Sequence, residues 1–171
     1  KAVNRKEMGK KDAYVLFEQG KIEESEKLLR EITAVNEKDA PANALLSRIY
    51  ANQGKLDDAL FFCRKAIDSD SLNCKYYYLL ATILQEKGEL TEAENNLKRA
   101  IYLDHRFVLA YFTMGNIKLY QGKRKEAKKY FEQTISLLET YKKDEMLPES
   151  EGMTAGAIID IARKMKENIN N

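Results

Sequence analysis

The sequence predicts an all-α chain, a solenoid of helix-turn-helix units closed by a C-terminal capping helix. Three observations carry that prediction. Charged residues make up 33% of the 171 and hydrophobic residues 44%, with two prolines, eight glycines and no tryptophan. Many charges and few breakers suit helices better than strands. Small residues recur in step at Ser25, Ala59, Ala93 and Ala127, and glycines at Gly20, Gly54, Gly88 and Gly122. Each series is spaced by 34 residues without an insertion. A fixed period of this length is the signature of stacked repeats.

The elements follow in order. Residues 1–5 are polar and are expected to fray. From Lys6 the frame gives four units, 6–39, 40–73, 74–107 and 108–141. Each unit holds two antiparallel helices that cross closely, so the contact point takes a small side chain. The first-helix partners of the series above are Ala13, Ser47, Ala81 and Gly115. Large apolar groups flank them, Leu16, Tyr50 and Leu84 on first helices and Leu29, Leu97 and Phe131 on second helices. The turn glycines suit helix ends that need a left-handed residue. Asp39, Asp70 and Asp104 lie near the turns between units, where carboxylates cap backbone donors. The pattern stops after Tyr141. Residues 142–153 form a breaker-rich connector containing Leu147-Pro148-Glu149-Ser150-Glu151-Gly152. Thr154 then caps a last helix over 154–168, with Ile158, Ile159, Ala162 and Met165 on one face. A solenoid must cover the apolar face of its last unit, and this helix is the lid.

Composition also limits function. A net charge of +2 gives no reason to expect a nucleic-acid partner. No apolar run approaches the roughly 20 residues of a membrane span, so no membrane insertion is expected. Cys63 falls on a core position and Cys74 on an exposed helix start; their spacing suits neither a disulfide framework nor a metal site, and both are expected as free thiols. His105 is the single histidine, at a turn between units, and the pattern places no nucleophile or orienting carboxylate for it. No catalytic residue, cofactor or metal is therefore expected in this segment. Glu23-Glu24 and Asp57-Asp58 open second helices, where the helix dipole favours them. The basic runs Lys123-Arg124-Lys125 with Lys128-Lys129, and Lys6 with Lys10 and Lys11, read as solvated faces, diluted by Glu126 and Glu132.

The frame resembles the tetratricopeptide repeat over Lys6 to about Tyr141. Tyr77 and Tyr111 stand at the early aromatic position, which is Gly9 and Asn43 in the first two units. The usual closing proline is replaced by Glu37, Ser71, His105 and Glu139, and Thr134 stands where Ala66 and Ala100 are small. The resemblance implies a right-handed superhelix whose first helices line a peptide-binding groove. Its groove positions map to Lys10, Tyr14 and Phe17; to Arg48 and Asn52; to Lys75, Tyr78, Thr82 and Gln85; and to Phe112, Asn116 and Tyr120. Rings there would supply buried area, and the Arg and amides would pair with a peptide. The alternative is that Tyr14, Phe112 and Leu119 pack against neighbouring helices. Lys10 fits the first place of the chaperone-type carboxylate clamp, but Tyr14, Leu45 and Leu79 occupy places where that clamp needs polar groups.

Three segments are similar to something narrower. Tyr77 to Glu86, Ala100 to Asp104 with Phe107 to Ala110, and Leu147-Pro148-Glu149-Ser150-Glu151-Gly152-Met153-Thr154-Ala155-Gly156 resemble the C-terminal repeat region of CheR-type chemotaxis methyltransferases. That resemblance implies a bacterial, cytoplasmic signalling context. An S-adenosylmethionine-dependent glutamate methyltransferase domain would lie upstream, in keeping with a first residue that is Lys1 rather than methionine. This segment would be its non-catalytic interaction module, with a chemoreceptor, a response regulator or its own methyltransferase domain as partner. The alternative is a free-standing tetratricopeptide adaptor or self-association scaffold unrelated to chemotaxis.

Overall fold

The computed structural model describes residues 2–170, with side chains from Gly9 to Ile169. The helices are α1 (Ala2–Glu18), α2 (Ile22–Val35), α3 (Ala40–Asn52), α4 (Leu56–Ser69), α5 (Cys74–Glu86), α6 (Leu90–Leu103), α7 (Val108–Tyr120), α8 (Arg124–Leu138) and α9 (Ala155–Asn170). Among the described residues no strand forms; one isolated bridge pairs Met146 with Thr154. The architecture is the expected all-α series of helix pairs with a C-terminal helix. Of the start expected to fray, Lys1 lies outside the described residues, and the backbone is already helical from Ala2. No proline interrupts this stretch, and Ala2, Arg5, Lys6, Glu7 and Met8 are good helix formers. The chain divides into two compact units, Lys1–Glu89 and Leu90–Asn171, with the boundary beside the Gly88 turn.

In the first unit α1 packs on α2, α3 on α4 and α4 on α5, and the first helices α1, α3 and α5 touch in succession. The small positions at the crossings are closed to solvent, and two of them are serines. Ser25 Oγ donates to the Ala13 carbonyl at 2.7 Å, and Ser47 Oγ donates to the Ala59 carbonyl at 2.8 Å. The serine sits on the second helix in one pair and on the first in the next. Either way the crossing stays narrow and the buried hydroxyl keeps a partner. Gly20, Gly54 and Gly88 end the first helices at φ of 76°, 72° and 79°, where a side chain is strained.

The turns between repeats are tied by the next helix. Asn43 Nδ2 donates to the Glu37 carbonyl at 2.9 Å, and the Tyr77 hydroxyl donates to that of Ser71 at 3.1 Å. In the second unit the Tyr111 hydroxyl donates to the His105 carbonyl at 2.9 Å. All three ties reach six residues back, to the places where the closing proline is missing. Asn43 thus does for its turn what a tyrosine does elsewhere. Of the three aspartates expected to cap backbone donors, Asp39 does so at the start of α3, accepting from the Ala42 N–H at 3.1 Å, and Asp104 does so within its turn. Asp70 and Asp104 stand too far ahead of the next helix. Asp104 accepts from the Arg106 N–H inside the turn at 2.9 Å, and Asn73 caps α5 instead.

Two further features were not anticipated. Tyr76, next to Tyr77, is buried on Ala40, Ala44 and Ala66. Tyr50 is 3% exposed and links α2 to α3. Its hydroxyl donates to Glu26 Oε1 at 2.6 Å and accepts from Arg30 Nη2, while its ring stacks on Phe62 with centroids 5.4 Å apart. Burial, then the Glu26 carboxylate, pushes the Tyr50 phenol up to about 12. Cys63 is buried, as expected, and burial raises its thiol to about 12; Cys74 is half-buried rather than exposed, and both cysteines are free thiols.

In the second unit the α7–α8 crossing at Gly115 has no room for a side chain. A Cβ there would meet the Phe131 ring at 2.7 Å, and Phe131 is fully buried. A buried ion pair binds α6 to α7. Lys118 Nζ reaches Glu94 Oε2 at 2.7 Å and Glu126 of α8 at 3.3 Å, while Gln121 Nε2 donates to Glu94 Oε1 at 2.6 Å. Burial raises the Glu94 carboxyl, but the bonds from Lys118 and Gln121 outweigh it and hold it below the ordinary value.

The connector is a built loop. Leu147 and Ser150 are buried, and Ser150 Oγ lies 2.6 Å from the Leu147 carbonyl while accepting from the Met153 N–H at 3.0 Å. The N–H groups of Ala155 and Gly156 reach back to the carbonyls of Glu145 and Lys143 at 2.8 and 2.9 Å. A Cβ on Gly156 would sit 2.8 Å from the Lys143 carbonyl oxygen. Thr154 Oγ1 caps α9 by accepting from the Ala157 N–H at 3.2 Å, as expected. Ala162 of α9 then packs with Ala127 and Phe131 of α8.

Three stability outcomes are expected. Gly115→Ala should lose about 1–3 kcal/mol in urea denaturation, because Phe131 must leave its position. Lys118→Met should lose about 3–5 kcal/mol, since it leaves the buried Glu94 carboxylate without its cation and with only Gln121 donating to it. For Tyr50, the fold favours the un-ionised phenol, so its contribution is full below the ordinary value of 10.0 and falls as pH rises towards about 12. A pH series of melting temperatures should show that alkaline decline in the wild type and a shallower one in Tyr50→Phe.

Candidate peptide-binding surface

Nine of the expected groove residues lie on the three adjacent first helices of the first unit. On α1 the Tyr14 ring is 48% exposed, and its centroid lies 6.4 Å from that of half-buried Phe17. Arg48 on α3 meets both. Its guanidinium lies 4.9 Å from the Phe17 centroid, and Nη1 donates to the Tyr14 hydroxyl at 3.3 Å. Tyr14 and Arg48 are 34 residues apart, so they are the same repeat position on neighbouring first helices. Stacking and the hydrogen bond together orient a long side chain that would otherwise sample many rotamers.

The other residues differ in what they offer. Lys10 turns to Asp39 Oδ2 at 3.2 Å, joining the carboxylate that caps α3. Asn52 is exposed one turn beyond Arg48 on α3. On α5 Lys75 is exposed, while Tyr78, Thr82 and Gln85 are half-buried, and Thr82 Oγ1 donates to the Leu79 carbonyl of its own helix at 2.8 Å. The structure thus brings Tyr14, Phe17 and Arg48 together and draws Lys10 away.

On α7 of the second unit, half-buried Phe112 packs against its neighbours. Its ring meets Phe131 with centroids 6.1 Å apart, and with Leu119 it packs on the cluster that α8 and α9 share. Met165 and Ile169 of α9 pack on the same cluster. Asn116 is half-buried, and Tyr120 at the end of α7 is 83% exposed.

Two clefts lie on the second-helix side. One of about 580 Å³ in the first unit is lined by Phe61, Lys65 and Lys87, whose charges already have partners, Lys65 with Glu37 and Lys87 with Asp57 and Glu89. One of about 450 Å³ in the second unit is lined by Lys98, Tyr111, Lys129 and Tyr130. Among the described residues no group of three histidines, cysteines or carboxylates is placed to hold a metal ion, and no helix is long and apolar enough to cross a membrane.

Some of these groupings had a legible signal and some did not. The 34-residue spacing of Tyr14 and Arg48 and the i,i+4 spacing of Glu26 and Arg30 were both readable. Nothing local marks Lys118 as buried, because its partner Glu94 lies 24 residues earlier.

Tetratricopeptide repeat models match residues 16–84, 75–105 and 108–137 of the sequence. The chain belongs to the tetratricopeptide repeat family. Its fold is similar to that of pilF from Pseudomonas aeruginosa, at a TM-score of 0.77 and 19% identity over 98% of this chain and 72% of that one. MamA is similar at 0.71 and 18%, over 96% and 86%. YrrB, described as a tetratricopeptide protein with an unusual peptide-binding site, is similar at 0.65 and 20%, over 91% and 75%. At these identities the likeness is one of fold. No curated protein matches the sequence significantly.

The Arg48 contact with Phe17 is half-buried, so removing it should cost little. Arg48→Met is expected to lose about 0.5–1 kcal/mol in urea denaturation. A double-mutant cycle with Phe17→Leu should show that the two losses are coupled.

Proposed function

We propose that this protein-interaction module grips an extended peptide on the first-helix face of its first unit, formed by α1, α3 and α5. The observation that carries the reading is the Tyr14–Phe17–Arg48 cluster. It offers an exposed ring and an oriented cation on helices packed side by side. Asn52 and Gln85 supply amides able to pair with a peptide backbone, and Tyr78 supplies a second ring. By contrast Phe112 in the second unit already has its neighbours. The groove positions act as binding groups, and no catalytic step is assigned to the segment.

The test is selection from a displayed library of random peptides, followed by fluorescence anisotropy with the selected sequences. Arg48→Ala, Tyr14→Ala and Tyr78→Ala should each weaken binding about tenfold or more, the effect of losing a central anchor. Undiminished binding in all three variants would move the site off this face.

The narrower proposal is that the module serves a cytoplasmic CheR-type chemotaxis methyltransferase. It rests on the likeness of the segment Leu147 to Gly156 and of the two segments in the third and fourth repeats. The structure weakens one part of that support, because Leu147, Ser150, Thr154 and Gly156 have packing duties in the loop that seats α9. Determining the coding sequence upstream of Lys1 tests the proposal directly. A methyltransferase domain there is expected, and its absence would leave the free-standing adaptor.

A further inference from the structure

We infer that Arg48 anchors a single acidic side chain within the bound peptide, an inference that rests on the peptide-binding reading of this face. A guanidinium has five N–H donors, and here one goes to Tyr14. Among the described residues no carboxylate pairs with Arg48. Other partly buried cations of the same unit do hold one. Lys10, Lys65 and Lys87, with side chains 32%, 29% and 29% exposed, reach Asp39, Glu37 and Asp57 respectively. Arg48 is half-buried, oriented and, among the described residues, without a counter-charge. Such a group is prepared for a ligand that supplies one.

The chemistry of that ligand can be narrowed. Held with its carbon 4.9 Å above the Phe17 centroid, the guanidinium offers a fork of donors that matches the two oxygens of a carboxylate. A chain terminus held by a clamp would need a second cation nearby, but Lys10 is already bound to the α3 cap. A run of acidic residues is disfavoured by Glu18, which stands exposed one turn beyond Tyr14 on the same side of α1. One Asp or Glu therefore suits the site, beside an apolar residue able to cover the exposed Tyr14 ring. Asn52, four residues after Arg48, is placed to bond the peptide backbone next to it.

The experiment uses a synthetic peptide array in which Glu, Gln or Lys is placed at each position of the selected sequences, each made with a free and with an amidated C-terminus. Affinities come from anisotropy. In the wild type a Glu→Gln change at one position should weaken binding about tenfold, and amidation should leave it unchanged. Arg48→Gln, still folded with a melting temperature lowered only by the small loss of the Phe17 contact, should bind the Glu and Gln peptides alike, and Arg48→Lys should fall between. Equal binding of Glu and Gln peptides to the wild type overturns the inference, as does loss of binding on amidation or discrimination that survives in Arg48→Gln. If binding depends on Tyr78 but shows no preference for an acid, only this inference falls. If no peptide binds, or if Tyr14→Ala and Tyr78→Ala change nothing, the face itself is wrong and the inference falls with it.

Discussion

The structure depends on how closely two antiparallel helices can approach at one point in every repeat. At that point the backbones leave room for a methyl group, a hydroxymethyl group or less. Ala13 with Ser25, Ser47 with Ala59, and Gly115 with Ala127 all meet this limit in different ways. Where the opposing helix carries a large ring nearby, as with Phe131, the limit tightens to glycine. The same constraint fixes which faces are turned outwards, since burying the small positions sets the rotation of each helix. Tyr14, Phe17 and Arg48 meet because the crossing points beneath them set α1 and α3 in matching phase.

This explains why the fold was legible in the sequence. Crossing points and turn glycines recur at a fixed interval, and each has one dominant physical cause. Helix positions follow from them directly. The capping helix was readable too, because Thr154 and the apolar face of α9 obey local rules. The polar interior was less accessible. Lys118 with Glu94, and Tyr50 with Glu26 and Arg30, are assembled from different helices. A lysine and a glutamate far apart in the chain look the same whether they meet in the interior or stand alone in water.

The candidate site was legible as a set of positions but not as a set of roles. Repeat phase placed Lys10 and Arg48 on the same kind of surface, and both are cations. Only the neighbours distinguish them: Asp39 engages the first, while Phe17 and Tyr14 orient the second. Phe112 shows the converse. Its repeat position suits a ligand, yet its ring packs on Phe131 of α8. The run of three tyrosines divides similarly, with Tyr76 in the core, Tyr77 on the turn and Tyr78 half-buried on α5.

The ties from Asn43, Tyr77 and Tyr111 give the repeats a direction. Each turn is fastened by a residue that belongs to the next helix, six positions downstream. A repeat therefore does not carry its own clasp; it borrows one from its successor. Cutting the chain after a turn would remove the fastening along with the following helix, whereas cutting before a repeat would leave that repeat's own turn fastened. Erosion should accordingly travel more easily from the C-terminal end. At the turn after Glu139 the next segment is not a repeat helix, and the connector with its buried Leu147 and Ser150 leads into α9 in its place.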